Sequence, residues 1–287
     1  MSTRCAAVGV LWLVLVAGAP ATANQLDVLV TILPHASLVE RLGGDAVRVH
    51  VLVGPGQTPE TFDPAPRELA RFSEAVVWFT TGAPIEPLLA PRLETLRPDL
   101  LTVPTAEGLA GLAADEHAGH DHGDVDPHVW VSARNTAQQV RAMTAALVRL
   151  LPDRADSIGA AEAELLEDLA AIDRELAALL EPVRGRTFFV FHPAFGYLAR
   201  DYGLRQVAVE SGGLSPSPRH LGGVLRAARD QGATTIFVQP QQSDRLVRSI
   251  ARETGLAVEV LDPLAPDHLA NLLRVGQAIR AALEPRR

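Results

Sequence analysis

Lysine is absent from this chain, and cysteine occurs once, at position 5. All 26 cationic residues outside histidine are therefore arginine, which we read as a bias of genomic codon usage rather than a functional device. Cys5 lies just before the first apolar run, so the chain beyond it offers no thiol for a disulfide, a thiolate zinc site or a lipid anchor. Net charge is -8, and no basic patch relieves it, which argues against nucleic acid as a partner. Beyond residue 23 no apolar run approaches the roughly 20 residues needed to span a bilayer.

What is present begins with a leader. Arg4, the apolar stretch "AAVGVLWLVLVAGA" and the small residues Ala21-Thr22-Ala23 predict a signal peptide over 1–23, cleaved before Asn24. An exported chain without disulfides fits a bacterial periplasm, where a core of this size makes cross-links unnecessary.

The remainder alternates short apolar strands with helices. "LDVLVTIL", "VRVHVLV", "VVWFT", "TFFVF", "TTIFV" and "VEVL" read as strands, separated by helical segments such as "PRELARFSEA" and "RHLGGVLRAARDQG". This alternation predicts an α/β fold of parallel sheets with helices on both faces. From about Asp153 to Leu180, the residues Leu165, Leu169, Ile172, Leu176 and Leu179 form one apolar stripe at helical spacing. Such a helix is about 40 Å long, enough to bridge two lobes. The expected organisation is an N-terminal lobe over 24–150, a bridging helix over 151–184 and a C-terminal lobe over 185–287. A dimeric coiled coil is the competing reading of the stripe, but the heptad pattern is not sustained, so a monomer is expected.

Histidine is where the chemistry gathers. Four of the nine histidines fall in "DEHAGHDHGDVDPHVW", residues 115–130. Residues 115–124 lack large apolar side chains and read as a surface loop, with His117, His120 and His122 as weak accessory metal ligands. His128 differs, because Pro127 and a helix N-capped by Ser132 fix its position. In open parallel sheets, ligands bind beyond the carboxyl ends of strands. Glu60, His128, His192 and Asp262 all occupy such positions, each beside a proline, and divide two and two between the lobes. Two histidines and two carboxylates suit tetrahedral Zn²⁺, and Mn²⁺ or Fe²⁺ would also accept the oxygens.

The segments "LVERLGGDAVRVHVLVGPGQTPETFDPAPREL", "DPHVWVSARNTAQQV", "FHPAFGYLARDYGL", "ESGGLSPSPRHL" and "LDPLAPDHLANL" resemble the periplasmic zinc- and manganese-binding proteins that feed ABC importers. That resemblance covers nearly all of the chain beyond the leader. It implies two lobes bridged by a rigid helix, one metal ion between them, an inner-membrane ABC permease as partner, and His128, His192 and Asp262 as ligands. The chain departs from the family at Thr58-Pro59-Glu60, where Ser/Asp-Pro-His is usual. Glu60 is the expected fourth ligand, and water or His35 is the alternative. The histidine-rich loop favours zinc, because manganese-specific relatives generally lack it.

Other polar residues carry plainer expectations. Glu210 is expected to support the site or contact the opposite lobe rather than ligate. His50 reads as structural, and His220 and His268 as surface residues or helix caps. Trp78, Trp130 and Phe195 read as core, the last two also as walls of the site. A secreted zinc hydrolase is a remote alternative, since neither His-Glu-x-x-His nor Gly-x-Ser-x-Gly occurs. A surface adhesin or metal-storage protein is a third reading.

Overall fold

The computed structural model describes residues 25–112, 125–210, 218–242, 245, 248, 250–252 and 255–284. The leader, His117, His120, His122 and the side chain of His220 lie outside the described residues.

Two four-stranded parallel sheets organise the chain. The first contains β1 (Leu26–Ile32), β2 (Val47–Val53), β3 (Val77–Thr80) and β4 (Leu101–Pro104), in the order β2-β1-β3-β4. The second contains β5 (Thr187–Val190), β6 (Arg205–Ala208), β7 (Thr235–Val238) and β8 (Ala257–Val260), in the order β6-β5-β7-β8. Helices α1 (Leu33–Gly43), α2 (Pro66–Phe72) and α3 (Glu86–Leu96) connect the strands of the first sheet, and α6 (Gly196–Tyr202) and α7 (Pro218–Asp230) those of the second. Central β1 is covered on both faces, so Val28, Leu29, Val30 and Ile32 are all fully buried and the strand reads as one apolar run.

Between the sheets run α4 (Ala133–Leu150), α5 (Ala155–Leu180) and, at the end of the chain, α8 (His268–Leu283). Ser132 caps α4 by accepting a hydrogen bond from the Asn135 N–H at 3.1 Å. The 26 residues of α5 span about 39 Å at 1.5 Å per residue. Its buried stripe is Ile158, Leu165, Leu169, Ile172, Leu176 and Leu180; Leu179, expected in that stripe, is only partly buried. The helix packs on α1, α4 and α8. The approach to α8 is close: a Cβ on Gly276 would stand 2.2 Å from Leu176 Cδ2, so only glycine fits without displacing that leucine.

This packing joins the lobes through one core. A single apolar cluster runs from Val28 and Val30 of β1 through Val140 and Met143 of α4 and the α5 stripe. It continues to Phe188 of β5 and Val275 and Ile279 of α8. Smaller clusters cover the outer face of each sheet, around Trp78 and Leu52 in the first and around Phe189 and Ile236 in the second.

Several elements differ from the sequence expectation. Helix α1 begins at Leu33, with Pro34 in its first turn, so His35 belongs to a helix rather than to a loop after the strand. Strands β4 and β6 and helix α3, which carries Pro91 in its interior, were not foreseen. His268 is not a surface residue: it is 2% exposed, and its Nε2 lies 3.1 Å from Thr136 Oγ1.

His35 is also fully buried, under the influence of His268 and Gln139. Burial, and secondarily the nearby His268, pushes His35 down to about 3, while burial pushes His268 down to about 4. Unfolding exposes both imidazoles, which then protonate near pH 6.5. Stability is therefore fully present above about pH 6.5 and is lost as pH falls towards 4 for His268 and 3 for His35. Each group withdraws up to about 1.4 kcal/mol per pH unit across its window. Urea unfolding between pH 7 and pH 4 should therefore show a smaller loss of stability in His268→Gln than in the parent.

Candidate metal centre

Loops after β2 and β5 and the segment leading into α4 bring Glu60, His192 and His128 together. Their ligand atoms lie within 4.8 Å of one another. Glu60 follows β2 on a loop that turns at Gly54-Pro55-Gly56, where Gly56 takes the left-handed φ of 77°. The Gly54 N–H donates to Gln57 Oε1 at 2.8 Å, and Thr58 Oγ1 donates to Glu60 Oε2, so the carboxylate is aimed by its own loop.

His128 sits between the loop end and α4. Asp126 fixes it twice, accepting from the His128 backbone N–H at 2.9 Å and pairing with His128 Nδ1 at 2.7 Å. Asp126 is itself held across the lobes by Tyr197 Oη, which donates to its carbonyl at 2.7 Å. Trp130 packs beside His128 with ring centroids 5.3 Å apart, and its indole N–H donates to the Pro263 carbonyl at 2.8 Å. His192 follows β5, where the strand order of the second sheet reverses, the usual ligand position in such sheets. Its Nδ1 pairs with Glu210 Oε2 at 2.9 Å.

The remaining nitrogens face each other. His128 Nε2 and His192 Nε2 are 3.1 Å apart, and Glu60 Oε1 lies 3.4 Å from the first and 3.6 Å from the second. A tetrahedral zinc ion with ligands at about 2.0–2.1 Å has ligand–ligand edges of roughly 3.3 Å. The three side chains thus outline one face of a coordination tetrahedron of the right size. Each imidazole has a carboxylate on its outer nitrogen, which fixes the tautomer that presents Nε2 to a metal.

Both histidines are nearly enclosed, at 5% and 6% exposure, yet both are driven towards the protonated form. Burial alone would lower His128, but Asp126 and Glu60 reverse it and hold it above the usual histidine range. The same contest at His192 is won by Glu210 and Glu60, which push it up to about 9. Burial would raise Glu60, but its contacts with the two histidines hold its carboxyl well below the usual carboxylate range.

Two other expected ligands are not in this group. His35 lies in the buried cluster with His268, and Asp262 follows β8, separated from His192's strand by β7. Two strand spacings of about 4.8 Å each stand between those strands. Asp262 Oδ1 accepts from the Leu264 N–H at 2.9 Å, and its carbonyl accepts from Asn271 Nδ2 at 2.7 Å. Its loop nevertheless adjoins the site through the Trp130–Pro263 hydrogen bond. Glu210 takes the supporting position expected of it, against His192. Asp126 and Thr58 were missed, although an aspartate two residues before a histidine, with proline between, is a legible turn signal.

Two parallel-sheet lobes joined by a long helix, with a histidine–carboxylate group between them, define a two-lobed protein with a candidate metal centre in its cleft. The family described as "ZnuA: Zinc-uptake complex component A periplasmic" matches residues 28–275, and the chain belongs to it. The zinc-binding lipoprotein AdcA of Streptococcus pneumoniae serotype 4 is 28% identical over 254 residues, covering 84% of this chain and 50% of that protein. The zinc-binding protein AdcA of Streptococcus pyogenes serotype M3 is 24% identical over 262 residues, covering 84% and 51%. The chain therefore spans about half the length of these curated relatives. Among solved structures, a zinc-bound ZnuA lacking residues 138–173 of its own sequence is 34% identical, with a TM-score of 0.85 over 92% of this chain and all of that one. The zinc-binding protein TroA of Treponema pallidum shares the fold at 20% identity, with a TM-score of 0.81 over 91% of this chain and all of TroA.

Asp126→Asn removes the charge that orients His128 and should weaken zinc binding by about 10–100-fold while leaving the fold intact. Equilibrium dialysis against a chelator of known affinity checks this directly.

Proposed function

We propose that the chain is a periplasmic zinc receptor, exported by its leader, that captures one Zn²⁺ between its lobes and delivers it to an inner-membrane ABC permease. The observation that carries this reading is the triangle of His128 Nε2, His192 Nε2 and Glu60 Oε1, with edges of 3.1, 3.4 and 3.6 Å. Family membership and the zinc-bound relative support it. The role is capture and release rather than catalysis, and the chain acts as a monomer. Asp262 takes the fourth position from the neighbouring loop, while His117, His120 and His122 collect the ion transiently.

Binding displaces protons. Before metal binds, the surrounding carboxylates favour a proton on the imidazoles of His128 and His192. Zinc takes both lone pairs, so that proton leaves. Because His192 is pushed up to about 9, zinc affinity should climb as pH rises towards 9, by up to about tenfold per unit for each proton released. Calorimetry in buffers of different ionisation enthalpy counts those protons, and an affinity independent of pH from 6 to 9 would contradict the assignment.

Glu60 supplies an oxygen where a third imidazole would favour zinc more strongly, so manganese or iron(II) is the second reading. Glu60→His should raise the preference for zinc over manganese in competition dialysis. Retention of full affinity by alanine variants of Glu60, His128, His192 and Asp262 would refute the site.

A further inference from the structure

A second group of metal-binding side chains lies on the first sheet, away from the interlobe centre. Asp27 is near the start of β1, His50 is in β2, and Glu74 is in the turn between α2 and β3. Their ligand atoms all lie within 4.8 Å of one another. The parallel register pairs Asp27 with Arg48 and Leu29 with His50, so Asp27 and His50 project from the same face of neighbouring strands. That face carries Leu29 and Leu52 into the cluster around Trp78. His50 Nε2 and Asp27 Oδ1 are 2.8 Å apart, and the Asp27 carbonyl accepts from the Val76 N–H at 2.8 Å, which ties the Glu74 turn to the same strand.

We infer that Asp27, His50 and Glu74 form a second, weaker divalent-cation site on the outer face of the first sheet, taking zinc through one imidazole and two carboxylates with water completing the shell. The strands hold two of the three donors, so only the exposed Glu74 must be ordered when the ion arrives. Opening the His50–Asp27 pair from 2.8 Å to the roughly 3.3 Å edge of a zinc tetrahedron is a small displacement. His50 also borders a surface cavity of about 190 Å³ between β2 and α2.

One group competes. Arg48 Nη1 lies 3.4 Å from Asp27 Oδ1, but its side chain is 55% exposed, and a surface ion pair of this kind contributes little. Its cation occupies the charge that a metal would take, which makes the site weak and gives it a distinctive signature. Removing Arg48 should strengthen zinc binding, whereas a purely structural Asp27–His50 pair predicts no such gain.

The test uses the exported chain with His117, His120 and His122 replaced by serine, so that the loop does not bind the probe. Zinc stoichiometry is read by calorimetry and by elemental analysis after dialysis. One tight equivalent at the interlobe centre and one weaker equivalent are expected. His50→Gln should remove the weaker one alone, Glu74→Gln should weaken it, and Arg48→Ala should tighten it several-fold. Glu74 is exposed, so its variant reports on the site even if His50→Gln disturbs folding. The proposal is overturned if the parent shows no second equivalent, if that equivalent survives in His50→Gln, or if it ignores both Glu74→Gln and Arg48→Ala.

Discussion

The apolar seam along α5 is the constraint on which everything else rests. Leu165, Leu169, Ile172, Leu176 and Leu180 fix the two sheets relative to each other by burial against α4 and α8. His128 and His192 come from opposite sides of that seam and meet at 3.1 Å. An error of 1 Å in how the lobes sit would spoil the edge lengths of the coordination triangle. The side chains buried in the shared core, each contributing about 1.5–3 kcal/mol, make such an error costly. The same continuity opposes wide separation of the lobes, which would expose their shared core.

Within that frame the site is an electrostatic compromise. Asp126, Glu210 and Glu60 place three carboxylates around two buried imidazoles. Without metal, protons answer that negative charge, which is why burial fails to depress either histidine. A divalent cation answers it better and fixes both rings in one tautomer. The contrast with His35 and His268 is instructive. Those imidazoles are equally buried, but burial outweighs the pull of Asp267 on His268, no carboxylate among the described residues raises His35, and both are pushed down instead. Burial alone therefore does not make a histidine a ligand; the partner on its outer nitrogen does.

Glu60 and His192 were legible because each follows a strand and carries a restrictive proline and a donor side chain, and His128 because Pro127 and the Ser132-capped α4 fix it. Asp262 satisfies the same rule and lies outside the close triangle they form, its loop adjoining them through the Trp130–Pro263 hydrogen bond. β8 is the outermost strand of its sheet, and β7 intervenes before β5. His35, the reserve candidate, lies away from this group, buried in the first turns of α1, which begins at Leu33 directly after β1. β4 and β6 escaped notice because they are strands of only four residues, none of them fully buried.

The sequence by itself determined the alternation of strands and helices, the long helix with its apolar stripe, and the residue types able to bind a metal. These are local properties, written in periodicities of two and 3.6 residues and in the placement of proline and glycine. Only the tertiary structure decided which donors meet, which histidines are shielded from metal and which carboxylate stands behind each imidazole. Those outcomes depend on strand order and helix packing, which bring together residues as far apart as Glu60 and His192 and which no local pattern encodes.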